Sequence, residues 1–374
     1  MNLSKRGSCP LGLRGVKFGA AHSHIFGLPA ECSKKALPVG ALCQGFLSLK
    51  DQRMKTHGRV LLLVLPLFAI TSVASAATIY EDPLFGVKVT SNVVYGTGLV
   101  NNGASSENLL LDIYQPTQIG ATAVPTSSPT IMWIHGGGFT EGDKTDDAAI
   151  LSSWASYGYN VVSIDYRLLG DKPPTTSGPA DPLASLITLA GYPAGTANVI
   201  NASLQDGDMA LEWLYNNAAT YGIDPTRIAV GGGSAGAIDA LFLAYMVPSE
   251  HVQPVAVISV VGAFPLSPSP YNPGDPPAIL IAGANDTKVP LALVQATSDA
   301  MTAGGVYNEL YVEPNAGHSI SWNTTVNGAT VAQHTIDFLA QHLATAVPEA
   351  STWLMSGLGV MFVFAYRLRL GARR

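Results

Sequence analysis

Arg227-Ile228-Ala229-Val230-Gly231-Gly232-Gly233-Ser234-Ala235-Gly236 is the stretch whose reading decides this chain's architecture. Its first four residues have strand character, Gly232 to Gly236 form a G-x-S-x-G sequence, and a helix candidate, Ala235 to Met246, begins at once. A strand that turns directly into a helix needs small neighbours, and it lifts the intervening serine hydroxyl above the sheet edge, where a base can reach it. A glycine-rich turn alone would be an ordinary turn. With the strand before and the helix after, Ser234 becomes the candidate nucleophile, supported by Gly232 and Gly236.

About 100 residues upstream, His135-Gly136-Gly137-Gly138 follows the apolar run Ile131-Met132-Trp133-Ile134. Glycines there let backbone N–H groups approach an oxyanion, so Gly137, Gly138 and the residue after the nucleophile, Ala235, are the expected oxyanion donors. His135 and Gly136 are expected to order that loop. Downstream, Asp286 lies just beyond the strand candidate Ala278 to Ala282, where a carboxylate can fix a histidine tautomer and stabilise an imidazolium. The alternative for Asp286 is a cap on the helix beginning at Pro290. Asp275, in a proline-rich loop, and Asp299, inside a helix, are poorer candidates. His318, in Asn315-Ala316-Gly317-His318-Ser319 after the last strand, is the expected base. His334 and His342 fall on a terminal helix, and His251, between a helix and a strand, is read as without acidic company.

Outward from these motifs, strand-length apolar runs alternate with amphipathic stretches, the pattern of a parallel sheet covered by helices. Expected strands are Val87 to Tyr95, Leu109 to Tyr114, Thr130 to Ile134, Asn160 to Ile164, Arg227 to Val230, Val255 to Val260, Ala278 to Ala282 and Glu309 to Val312. Expected helices are Asp146 to Tyr157, Gln205 to Tyr221, Ala235 to Met246, Pro290 to Ala303 and Thr330 to Leu343. In the second of these, Asp206 or Asp208 suits the positive end of the helix dipole. Leu169 to Ser203 resists the scheme: rich in Pro, Gly, Thr and Ala, with only Leu183 to Leu189 helical in character, it reads as a lid or a disordered insertion.

The order Ser234, Asp286, His318, with the glycine loop upstream, resembles the carboxylesterase and hormone-sensitive-lipase-like branch of the α/β-hydrolases over roughly Val87 to Leu343. Leu111-Asp112-Ile113-Tyr114, Asp165-Tyr166-Arg167-Leu168 and Tyr221-Gly222-Ile223-Asp224-Pro225 are further echoes. Gly233, where relatives often carry an acidic residue, and Leu169-Gly170, in place of Ala-Pro, are departures. The resemblance implies an α/β fold with a mostly parallel eight-stranded sheet flanked by helices, and hydrolysis of carboxylic esters through an acyl-enzyme. It implies no cofactor. The alternatives are a peptidase on the same fold and a noncatalytic surface-binding protein; covalent labelling of Ser234 separates the last from the others.

The rest of the chain sets the context. From Ala77 to Glu349, 6 Lys plus Arg stand against 24 Asp plus Glu, a net charge of −18 that repels phosphate backbones and argues against nucleic-acid binding. All three cysteines, Cys9, Cys32 and Cys43, precede Met54, and their spacing matches no zinc or redox pattern, so no metal site is expected. Residues 54–76 read as a secretory signal: Met54, Lys55 and Arg59, then apolar Val60 to Ile70, then Ala74-Ser75-Ala76. Residues 1–53 are expected to be untranslated or unstructured, and residues 77–346 to form the catalytic domain, with 169–203 its possible lid. Residues 347–374 combine Val347-Pro348-Glu349, an apolar run from Trp353 to Tyr366 and a closing set of arginines. This tail resembles the PEP-CTERM sorting signal of Gram-negative bacteria, with Ala350 replacing the second proline. That resemblance implies processing by an exosortase and a place at the cell surface or in the extracellular matrix, with transient membrane anchoring through the tail.

Overall fold

The structure, a computed structural model, describes residues 78–181, 193–264 and 270–344. These all belong to one compact unit, Ser72–Arg374. The expected extension 1–53, the expected signal segment, the sorting tail and Leu183 to Leu189, expected to be helical, lie outside the described residues.

Eight strands form one sheet in the order β1-β2-β4-β3-β5-β6-β7-β8. They are β1 Phe85–Val100, β2 Ser105–Gln118, β3 Ser128–Ile134, β4 Asn160–Ile164, β5 Ile223–Gly233, β6 Ala256–Val260, β7 Ala278–Gly283 and β8 Asn308–Glu313. The long β1–β2 pair is antiparallel and joins antiparallel to β4; every pairing from β4 through β8 is parallel. The fold is thus α/β with a mostly parallel eight-stranded sheet. A second hairpin, β9 Thr325–Val326 and β10 Ala329–Thr330, has no counterpart in the strands expected from sequence.

Side chains alternate across the sheet and fill two cores. Met132, Ile134, Val230 and Leu280 pack beneath α2 (Thr196–Asn216), α3 (Ala235–Tyr245) and α4 (Leu291–Ala303). Ile131, Trp133, Ala229 and Ile279 pack beneath α1 (Ala148–Ser156) and α5 (Val331–Leu339). Strands β3 to β7 are therefore buried on both faces, which is why their sequences are near-continuous apolar runs.

The structure corrects the reading of the 169–203 stretch. Helix α2 begins at Thr196 rather than at Gln205, so the last eight residues of that stretch are helix, and a separate α turn, Ala218–Tyr221, follows it. The start was hidden because Gly195 precedes it in a left-handed conformation with no side-chain cap. Ahead of α2, the Asn198 and Asn201 amides bind the backbone of Pro173, Thr176 and Ala180, tying residues 173–180 to the helix. Asp206 is consequently mid-helix and serves no dipole; it is buried against Arg167.

Candidate active site

The site is built where β3, β5, β7 and β8 end. At the end of β5 the chain reverses into α3 through Ser234, whose φ of 52° and ψ of −112° lie outside the usual regions for an L-residue. A conformation of that kind costs on the order of 1–3 kcal/mol and persists only where its surroundings enforce it. Here the Ser234 N–H donates to the Val260 carbonyl at 2.8 Å, pinning the turn to β6. The flanking glycines are obligatory for a steric reason. A Cβ at Gly232 would lie 2.4 Å from the Gly236 carbonyl carbon, and one at Gly236 would lie 2.0 Å from the Ile134 oxygen.

The loops after β7 and β8 are stapled to each other. Asn285 N–H donates to the Ala316 carbonyl at 2.8 Å, and Ala284 N–H to the Glu313 carbonyl at 3.0 Å. This brings together two residues 32 positions apart: His318 Nδ1–H donates to Asp286 Oδ2 at 2.8 Å. The tautomer this requires leaves Nε2 as an acceptor, and the Ser234 hydroxyl donates to it at 2.7 Å. The Asp286 side chain is 1% exposed and its second oxygen accepts from the Lys288 and Val289 N–H groups at 2.8 and 3.0 Å. Asp286 thus closes its own turn ahead of α4 and holds the histidine as well, so the two readings of it are not exclusive. His318 remains 19% exposed, open to the cavity above.

The glycine loop after β3 abuts the Ser234 turn. A Cβ at Gly136 would stand 3.1 Å from the Gly233 oxygen and 3.5 Å from Ser234 Cβ. Gly137 has a φ of +110°, and a Cβ there would meet the Glu141 oxygen at 1.8 Å. Its carbonyl accepts from the Thr140 and Glu141 N–H groups, at 3.1 and 3.2 Å, and from the Thr140 hydroxyl at 3.0 Å, which closes the turn from inside. Gly136 and Gly137 line a cavity of about 310 Å³ together with Ser234 and His318. Gly138 and Ala235 stand one residue outside that lining, Ala235 as the buried first residue of α3.

His135 does not reach the serine. It is buried, its Nδ1–H donates to the Gly136 carbonyl at 2.7 Å, and its ring stacks on Tyr166 with centroids 4.4 Å apart. Three consecutive residues after β4 support this region. The Asp165 carboxylate accepts from Lys144 N–H at 2.8 Å and Lys144 Nζ at 3.0 Å. The Tyr166 hydroxyl donates to the His135 carbonyl at 3.2 Å, and burial pushes its phenol well above the ordinary range, so it stays a donor. Arg167 forks onto Asp206, with Nη2 to Oδ1 at 2.7 Å, both side chains almost fully buried. Burial pushes the Asp206 carboxyl up and the Arg167 guanidinium opposes it.

Several wall residues were not singled out from sequence. Trp133 donates its indole N–H to Asp147 Oδ2 at 2.8 Å, and both line the cavity with Val260, Val261, Ile320 and Trp322. Burial pushes the Asp147 carboxyl up. Trp133, one residue from the end of β3, and Val260, the last residue of β6, were findable by position; Trp322 gave no local signal. Asp275 and Asp299 are engaged locally, by Asn272 N–H and the Gln295 amide. His334 binds the Val326 carbonyl. His251 does have an acidic partner, correcting the sequence reading: its Nδ1 lies 2.6 Å from Glu212 Oε2, brought there from α2.

Comparison with known proteins fits this geometry. The BD-FAE family model matches residues 111–177 and 187–256, the prolyl oligopeptidase family model residues 263–346, and the PEP-CTERM protein-sorting motif residues 346–369. Thermogutta terrifontis esterase 2, phosphorylated by paraoxon, superposes with a TM-score of 0.50 at 22% identity over 69% of this chain and 95% of that one. The chain has the α/β-hydrolase fold. It also carries a C-terminal PEP-CTERM sorting motif. The chlorogenic acid esterase of Aspergillus niger is 28% identical over 214 residues, 56% of this chain. Esterase LipQ of Mycobacterium tuberculosis is 27% identical over 295 residues, 67% of this chain. The chain spans 36% of the length of the fungal relative and 62% of the mycobacterial one.

Proposed function

We propose that this α/β-hydrolase-fold chain is an exported serine esterase that cleaves carboxylic esters through an acyl-enzyme. The observation that carries the reading is the unbroken relay from Ser234 Oγ through His318 to the buried Asp286, at 2.7 and 2.8 Å, opening into a cavity bordered by Gly137. His318 Nε2 takes the Ser234 proton as Oγ attacks the ester carbonyl, and the N–H groups of Gly137, Gly138 and Ala235 receive the oxyanion. Collapse of the tetrahedral intermediate breaks the bond to the alcohol, which leaves with the proton from His318. A water then gives its proton to His318, attacks the acyl carbonyl and releases the acid, restoring Ser234. Asp286 accepts the His318 Nδ1–H throughout and holds the imidazolium in place.

The curated relatives named esterases support the substrate class, and the PEP-CTERM motif supports export to the surface of a Gram-negative-type cell, with the tail as tether and exosortase substrate. The test is hydrolysis of p-nitrophenyl esters from acetate to palmitate by the full chain and by Ser234→Ala and His318→Ala. Loss of a triad serine or histidine costs about 10⁶ in turnover, so both variants should be inert. A rate that survives Ser234→Ala would refute the assignment. Because the prolyl oligopeptidase model covers residues 263–346, aminoacyl p-nitroanilides belong in the same assay. Cleavage of anilides faster than of matched esters would make the chain a peptidase.

A further inference from the structure

Both ends of the described domain leave from the edge of the sheet opposite the cavity. At the amino edge, Arg227 near the start of β5 donates to the Ala344 carbonyl at 3.3 Å, to the Ser127 carbonyl ahead of β3 at 3.1 Å, and to Asp224 at 2.7 Å. Ala344 is thereby held at that edge, two residues before the matched sorting motif begins. The other end arrives at the same edge. Tyr80 N–H donates to the Tyr157 carbonyl at 2.9 Å, and its ring packs on Tyr159, 5.0 Å away, immediately before β4. Asn160, the first residue of β4, in turn donates to the Gly222 carbonyl just ahead of β5, at 2.9 Å.

Ser234 sits at the far end of the same strand as Arg227. Seven residues of strand at about 3.3 Å each separate them by about 23 Å. From Ala344 to the first residue of the tail's apolar run, Trp353, there are nine residues, which fully extended span at most about 32 Å. Turning the cavity toward a membrane that holds Trp353 would consume most of that length along the domain's flank. The upright arrangement needs none of it.

From this we infer that the tethered domain stands with its amino edge toward the membrane and its cavity facing away, and that it therefore acts on esters delivered from the water side, not on lipids of the membrane that holds it. The inference rests on the tethering role proposed above for the tail. It gives the −18 charge of the region Ala77 to Glu349 a consequence too, since the body of the domain is repelled by anionic lipid headgroups.

The test places the full chain, with Cys9, Cys32 and Cys43 changed to serine, in phosphatidylethanolamine and phosphatidylglycerol vesicles. Single cysteines are introduced at Glu81→Cys, at the amino edge, or Asn323→Cys, in the exposed loop after the cavity residue Trp322. Reaction with a bulky polyethylene-glycol maleimide is timed on vesicle-bound and free protein. The expected result is an unchanged rate at Asn323→Cys and a several-fold slower one at Glu81→Cys. The reverse pattern, or equal rates at both sites, overturns the orientation. A chain that fails to float with vesicles overturns the tether and the orientation with it. In parallel, a water-soluble p-nitrophenyl ester should be cleaved equally by bound and free protein, while an ester lipid of the host vesicle is spared. Absence of all ester cleavage would defeat the esterase reading while the labelling rates still decide the orientation.

Discussion

The two edges of this one sheet are built by opposite means. At the carboxyl edge the backbone is forced: Ser234, Phe139 and Val261 all have positive φ, at 52°, 62° and 47°, and none is a glycine. Glycines at 136, 137, 232 and 236 occupy positions where a Cβ would collide or crowd. At the amino edge the turns at Gly158 and Gly222 use residues suited to positive φ, with Tyr80 the exception, and the Arg227 and Asn160 side chains satisfy the carbonyls of neighbouring segments. Strain collects where a hydroxyl has to be aimed, and polar closure collects where the chain enters and leaves. Substitutions at the first edge should mainly change rate, and those at the second mainly change stability.

The sharpest way to break that contrast is Asp286→Asn. It should lower kcat by about 10⁴ with little loss of stability, because it removes the tautomer control on His318. A stopped-flow ester assay beside a thermal melt separates the two effects. Next comes the support behind the site. Arg167→Ala strands the Asp206 carboxylate in the core, and breaking a buried pair of this kind typically costs about 3–5 kcal/mol, readable in urea unfolding. Gly137→Ala collides with the Glu141 carbonyl and should lower kcat by about 10² to 10³ through displaced oxyanion donors, while ground-state binding changes little.

Asp239, on α3 beneath the Ser234 turn, tests the boundary between the two regimes. It is fully buried, neither carboxyl oxygen has a hydrogen-bond partner, and the Ser203 hydroxyl nearby gives its proton to the Ile200 carbonyl. Burial pushes its carboxyl well above the ordinary value of 3.8. The folded state then holds a proton that the unfolded chain releases above about pH 4, so this group subtracts stability as pH rises from there. Asp239→Asn should remove that slope, so that the variant gains on the wild type as pH rises above about 4 in thermal melts. The smallest expected effect is at Arg227→Ala, which should lower stability by about 1–3 kcal/mol through unpaired carbonyls and leave kcat/KM unchanged.

How much of this was legible in the sequence follows the same division. The strand, the tight turn and the helix around Ser234 are written locally, as apolar run, small residues and amphipathic run, and so are the glycine loop and the loops bearing Asp286 and His318. The expected strands matched the observed ones to within a few residues in the parallel core, although β1 and β2 run further than their apolar patterns, to Val100 and Gln118. What stayed hidden depends on contacts distant in sequence. Asp206 looks like a helix-start acid until Arg167 is seen folding back onto it from 39 residues away. His251 has Glu250 beside it in sequence, but its 2.6 Å partner, Glu212, is brought from α2 39 residues away. Trp322 becomes a cavity wall only through its edge-on packing against Trp154 of α1, with ring centroids 5.5 Å apart.

The central claim is that Ser234 is the residue acylated in turnover. Incubating the full chain with one equivalent of a fluorophosphonate, then measuring intact mass and mapping the modified peptide, tests it most directly. The account predicts a single adduct on the peptide containing Ser234, formed in step with loss of ester hydrolysis and absent in Ser234→Ala and His318→Ala. An adduct on any other residue, or full hydrolytic activity in protein already modified at Ser234, would contradict it.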